Sequence, residues 1–257
     1  MKLILGLAFF LTAALYASVG FGGGSTYTAL LAVSGTSYIV IPIISLLCNI
    51  CVVSGSSWRY LRRKVIKLSE VWPLFILSIP AAFIGGMVNV SEVIFIGLLS
   101  VALLLASIRM VFGRIHDDKS VSLATKRNRI VSALIGGAIG FYSGIVGIGG
   151  GIFLAPILYR MCWGRAQQIA AACSIFILVN SMAGLVGQIT KTADLNLNSD
   201  ILSYWPLILA VLFGGTIGNM LSLRLLTPKL LRRITGILIL IVAIRLLIKW
   251  MTLSSFT

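Results

Sequence analysis

The sequence predicts an all-α membrane protein, a polytopic helical bundle of two inverted repeats. Each repeat is a glycine-tipped re-entrant or broken-helix hairpin plus three spans, giving 8–10 membrane segments in total. Three observations lead there. The chain is 59% hydrophobic and only 11% charged, with a mean hydropathy of +1.07. A soluble domain could not hide that much apolar surface, so its solvent must largely be lipid. A glycine cluster, Val19-Gly20-Phe21-Gly22-Gly23-Gly24, returns 127 positions later as Val146-Gly147-Ile148-Gly149-Gly150-Gly151, in a chain of 257 residues. Finally, loops rich in Lys and Arg alternate with loops that lack them, and corresponding loops of the two halves have opposite character.

Apolar runs fall at 3–20, 38–57, 71–90, 93–112, 130–146, 168–189, 201–223 and 234–250. Most approach the roughly 20 residues that a helix needs to cross a bilayer. The first run, with Lys2, an apolar core and a small-residue end, could pass for a signal peptide. Its counterpart at 130–146 cannot be one, so the segment is read as retained. Residues 3–34 and 130–160 each make a hairpin with the glycines near its tip. The arm after each cluster, Ser25 to Ser34 and Ile152 to Met161, is about ten residues long, which suits a half-length helix better than a span.

The remaining marks recur in order. Asn49 lies in the middle of its run and Asn180 in the middle of the matching one. Trp72-Pro73-Leu74 returns as Trp205-Pro206-Leu207, and a small-residue stretch at Gly85-Gly86 matches one ending at Gly218. The domains are therefore a first repeat, 1–112, a charged cytoplasmic linker, 113–129, and a second repeat, 130–257.

Net charge is +15. In a soluble chain this would suggest nucleic acid. Here the basic residues sit in short loops, where they set orientation, and no nucleic-acid-reading motif accompanies them. Arg59, Arg62, Arg63, Lys64 and Lys67 mark one cytoplasmic loop, and Arg114, Lys119, Lys126, Arg127 and Arg129 mark the linker. Arg160 with Arg165, and Arg224 with Lys229, Arg232 and Arg233, mark two more. Loops near 33–38, 85–92 and 192–200 lack Lys and Arg but hold Glu92, Asp194 and Asp200, and belong outside. The first hairpin then enters from outside, the second from the cytoplasm, and the C-terminus lies outside. This is the inverted arrangement of many secondary transporters.

Glycine leaves backbone N–H groups unobstructed, and a helix N-terminus carries partial positive charge. Two such starts meeting near the midplane would hold a small anion. The candidate substrate-binding residues are Gly22, Gly23, Gly24, Ser25, Thr26, Asn49, Gly149, Gly150, Gly151 and Asn180. The alternative for the glycines is close helix packing. For Ser25 or Thr26 it is capping of the short helix, and for the asparagines an interhelical hydrogen bond that holds the hairpins in place. Asn180, Gly184 and Gln188 share one helical face, as do Ser45 and Asn49. The hydroxyls after Gly24 have no counterpart after Gly151, where Ile152, Phe153 and Leu154 follow.

No Asp or Glu lies deep in any run, so there is no buried carboxylate of the kind proton-coupled carriers use. Export of an anion needs none, because an inside-negative potential favours it by about 2.3 kcal/mol per charge per 100 mV. Cys48 and Cys51 form a CxxC without a second pair, and the lone His116 is distant, so packing is preferred to metal or redox chemistry. No catalytic constellation exists in the spans, and no enzyme, cofactor or metal is expected.

The paired glycine motifs on hairpins, the duplication and the stretch Gly149-Gly150-Gly151-Ile152-Phe153-Leu154-Ala155-Pro156 resemble the TauE/SafE family of sulfite and organosulfonate exporters. Ala170-Ala171-Ala172-Cys173-Ser174 resembles that family's Gly-Thr-Ser signature with Cys at the Thr position, whereas the first half reads Ile41-Pro42-Ile43. The resemblance implies a secondary transporter, an exporter, of a small sulfur-containing anion such as sulfite, thiosulfate or an organosulfonate. Its setting would be the inner, plasma membrane of a bacterium. The alternative is a non-transporting membrane scaffold or assembly factor. Expected partners are the anionic substrate and the lipid bilayer, with no nucleic acid. The oligomeric state is left open, a homodimer included.

Overall fold

The structure is a computed structural model that describes residues 2–112, 129–161, 163–193, 201–221 and 228–254. Among these it holds ten helices and no strand. They are α1 (Lys2–Val19), α2 (Gly24–Val33), α3 (Val40–Arg62), α4 (Leu68–Met87), α5 (Glu92–Phe112), α6 (Arg129–Val146), α7 (Gly151–Arg160), α8 (Ala166–Lys191), α9 (Trp205–Leu221) and α10 (Pro228–Ser254). Most of the linker at 113–129, with His116, and Cys162, Asp194, Asp200 and Arg224, lie outside the described residues.

Among the described residues, four helices are long and apolar enough to cross a membrane: Val40–Arg62, Leu68–Met87, Arg129–Val146 and Gln167–Lys191. Apolar side chains face outward along the helix period where lipid would lie, as at Ile237, Ile241, Ile244, Ile248 and Met251 on α10. The run at 38–57 extends to Arg62 because Ser54 to Ser57 continue the helix, their hydroxyls bonding backward or across to a neighbour.

α3 and α8 form the centre and pack on each other. Around them α4 lies against α6, α1 against α9, and α5 against α10. Small residues set the first two of these contacts. A Cβ at Gly136, Gly140 or Gly144 of α6 would strike the backbone at Leu74, Ser78 or Ala82 of α4. Gly214 and Gly218 of α9 meet Phe10 and Ala14 of α1 in the same way. In both pairs the numbers rise together, so each pair runs parallel, with backbones as close as small residues permit.

Contacts also gather the loops at two ends. At one, the Tyr204 hydroxyl donates to Thr36 Oγ1 (3.2 Å) and Lys249 pairs with Glu92 (3.2 Å). At the other, the Arg59 guanidinium donates to the Asn219 carbonyl and side-chain oxygens, and Arg129 stands over the Trp72 ring.

Candidate functional site

The two glycine clusters are the turns between α1 and α2 and between α6 and α7. They are built differently. In the first cluster only Gly20 has positive φ (+78°), whereas in the second Gly147, Gly149 and Gly150 are all left-handed, at +79°, +82° and +80°. That conformation costs an ordinary residue roughly 1–2 kcal/mol, so the second turn depends more strictly on glycine.

Asn49 lies near the middle of α3, fully buried, between the two turns. Its Nδ2 donates to the Ile148 carbonyl (3.1 Å), across 99 residues of sequence. A Cβ at Gly24 would overlap both that carbonyl and the Asn49 amide. A Cβ at Gly22 would stand 2.7 Å from Asn49 Oδ1, and one at Gly149 2.8 Å from Asn49 Nδ2 and 3.0 Å from Ser181 Oγ. Gly22, Gly24, Asn49 and Gly149 are thus brought together in one close-packed junction. Gly23 faces Thr12 and Tyr27, Gly150 faces Ile139 and Phe176, and Gly151 packs on Ile177.

Asn180 differs from its counterpart. Its Nδ2 turns back to the Phe176 carbonyl of its own helix (2.8 Å). The hairpin-holding bonds come from other side chains as well: Ser45 Oγ donates to the Gly24 carbonyl (3.1 Å), and Gln188 Nε2 to the Gly144 carbonyl (2.8 Å). Neither Ser25 nor Thr26 caps α2, whose N-cap is Gly23 without a side-chain bond. The reason is that both stand inside the first turn, after the cap position, where Thr26 shares a hydrogen bond with the Tyr16 hydroxyl (3.1 Å). Thr28 bonds back to the Gly24 and Ser25 carbonyls.

The first recorded backbone donations of α2 come from Thr26 and Tyr27 to Gly23, and those of α7 from Phe153 and Leu154 to Gly150. The N–H groups of Gly24 and Ser25, and of Gly151 and Ile152, precede them and have no partner among the described residues, as is usual at helix starts. Around the junction, Asn49 Oδ1, Asn180 Oδ1, Ser143 Oγ and Ser181 Oγ are buried without a partner among the described residues. The hydroxyls can donate to a ligand; the amide oxygens accept.

Two groups were not singled out from the sequence. Ser56 and Ser57 of α3 both meet Ser174 Oγ of α8, at 3.1 and 2.9 Å, all three fully buried. Tyr60, one turn further on, lays its ring over Gly20. Asn49, Ser56 and Tyr60 recur at helical spacing on α3, and that periodicity was the available signal.

The family described as sulfite exporter TauE/SafE matches residues 5–246. The chain belongs to the TauE/SafE family. It is 35% identical over 244 residues to a probable membrane transporter protein of Sinorhizobium fredii, covering 95% of this chain and 97% of that one. A probable membrane transporter protein of Haemophilus influenzae is 27% identical over 109 residues, 40% of this chain and 41% of the relative. No solved structure gives a significant match. Membership in the TauE/SafE family makes the chain a multi-pass membrane transporter rather than an enzyme.

Proposed function

We propose that this TauE/SafE member is a secondary carrier that exports a small sulfur-containing oxyanion, such as sulfite, thiosulfate or an organosulfonate, across a bacterial plasma membrane. The observation that carries the reading is the meeting of two glycine turns at Asn49, each turn opening a short helix whose first N–H groups have no partner among the described residues. Gly22, Gly23, Gly24, Ser25 and Thr26 from one side and Gly149, Gly150 and Gly151 from the other would surround the anion, with Asn49 and Asn180 beside it. The turns are close-packed, so the hairpins must part for the anion to enter.

The packing supports two inverted repeats, 1–112 and 130–257. Exchanging the halves turns the α4–α6 pair into α9–α1 and the α4–α8 pair into α9–α3, while α3–α8 and α5–α10 map onto themselves. The parallel runs of α1 with α9 and of α6 with α4 are what hairpins entering from opposite faces require. The Lys249–Glu92 and Tyr204–Thr36 contacts join segments that the charge pattern assigns to the outside, the C-terminal helix end among them.

The close packing itself favours the second reading, a scaffold that uses glycine only for helix contact. Flux separates the two. Proteoliposomes holding the purified chain should accumulate or release radiolabelled sulfite or thiosulfate, and Gly23→Val or Gly150→Val should abolish flux while the protein still inserts. Flux at the level of empty vesicles for every sulfur oxyanion would refute the proposed substrate class.

A further inference from the structure

At the end of the bundle that holds the Tyr204–Thr36 contact, a cavity of about 70 Å³ is lined by Tyr38, Pro42, Asn89, Phe95, Lys191 and Thr192. By the same measure one water needs about 10–15 Å³, so the cavity has room for a small inorganic oxyanion. Lys191, the last residue of α8, is half-buried and forms no ion pair or hydrogen bond among the described residues. An ammonium group withdrawn from water in this way is stabilised by an anion beside it. The phenol of Tyr38 and the amide of Asn89 line the same cavity and add further hydrogen-bond donors.

The cavity also adjoins the glycine turns. Pro42 lines it and packs on the turn itself, since a Cβ at Gly147 would stand 2.5 Å from Pro42 Cα. Ile145 lines it too, and its carbonyl accepts from Gln188 Nε2 (3.4 Å). Gln188 stands one turn below Lys191, with its Oε1 buried and unpartnered, and Thr192 Oγ1 donates to the Gln188 carbonyl (2.9 Å). Ser181, beside Gly149, is on the same helix about 15 Å below Lys191, taking 1.5 Å per residue. Polar groups therefore run along α8 from the junction to the cavity.

The opposite end is not built this way. When Asn180 is set on Asn49, the residue that matches Lys191 is Tyr60. There the ring covers Gly20, and the neighbouring cations Arg59, Arg62 and Arg63 line a separate cavity with Trp58.

We propose that the Lys191 cavity is a second anion site, an outer station for the sulfur oxyanion between the glycine junction and the external solution. The inference rests on the carrier reading above and adds to it a place and a charge. An exported anion would pause there before release, and external anion would compete for it.

The test uses the full chain with radiolabelled thiosulfate as probe, in equilibrium binding and in proteoliposome flux, for wild type, Lys191→Gln and Lys191→Arg. Loss of one charge-assisted contact should weaken thiosulfate at this station about tenfold. In Lys191→Gln one of two binding classes should weaken by about tenfold, and external thiosulfate should inhibit efflux about tenfold less well. Lys191→Arg should retain both. Unchanged binding classes and unchanged inhibition in Lys191→Gln, with wild-type flux intact, would overturn the station and leave the carrier standing. A wild type that neither binds nor moves thiosulfate or sulfite would overturn the carrier reading and the station with it.

Discussion

The two buried asparagines allow a sharp comparison, because the structure assigns them different bonds. Asn49 reaches the Ile148 carbonyl of the opposite turn, whereas Asn180 bonds a carbonyl four residues back on its own helix. Asn49→Ala removes a tertiary hydrogen bond, orphans a carbonyl in a dry junction and leaves a space beside Gly22, Gly24 and Gly149. An orphaned buried group costs about 1–3 kcal/mol, and measured interhelical bonds in membranes average about 0.6 and reach about 1.7 kcal/mol. A loss of about 1–3 kcal/mol is expected. Asn180→Ala gives up a side-chain bond to a carbonyl within the helix ladder and gains a better helix former, so its cost should stay within about 1 kcal/mol. Denaturant unfolding of the purified chain in mixed micelles reads both values. If the asparagines also bind the anion, both variants lose flux, and Asn180→Ala does so while nearly as stable as wild type. Equal destabilisation by the two substitutions would refute the assignment of the tertiary bond to Asn49 alone.

Gly149→Ala should lose roughly 1–2 kcal/mol to left-handed strain, plus the cost of crowding Asn49 and Ser181, and should lower the thermal midpoint more than Gly35→Ala. Gly35 is equally left-handed, but a Cβ there meets nothing within 4 Å. Gly140→Leu should separate α6 from α4 and prevent recovery of a monodisperse protein, because the new side chain meets the Ser78 backbone rather than a movable tip. Alkaline phosphatase fused after Ser254 should be active, and fused in the linker inactive, in intact cells; the reverse pattern would invert the proposed topology.

Much of the fold is legible in the sequence because lipid imposes a simple rule. Spans need length and apolarity, so the runs at 93–112 and 130–146 correspond closely to Glu92–Phe112 and Arg129–Val146. The helix breaks at Gly20 to Gly23 and Gly147 to Gly150 were readable for a related reason, since consecutive glycines stand out where backbone must otherwise stay hydrogen-bonded. Partnership was harder to read. That Asn49 crosses to Ile148 while Asn180 folds back depends on which turn lies within reach, and both asparagines look alike in the chain. Thr26 offered a capping hydroxyl, but the cap position falls at Gly23, which places Thr26 inside the first turn against Tyr16. The meeting of Ser56 and Ser57 with Ser174 needed two distant helices placed side by side before it had meaning.

The cross-packing of α4 with α6 and of α1 with α9 has a consequence for synthesis. When the ribosome has completed α5, α1 has no partner of its own half to cover the surface at Phe10 and Ala14, because Gly214 and Gly218 are still unmade. The amide of Asn49 is likewise waiting for Ile148. The first half must therefore remain in the membrane as an unfinished surface until most of the second has followed.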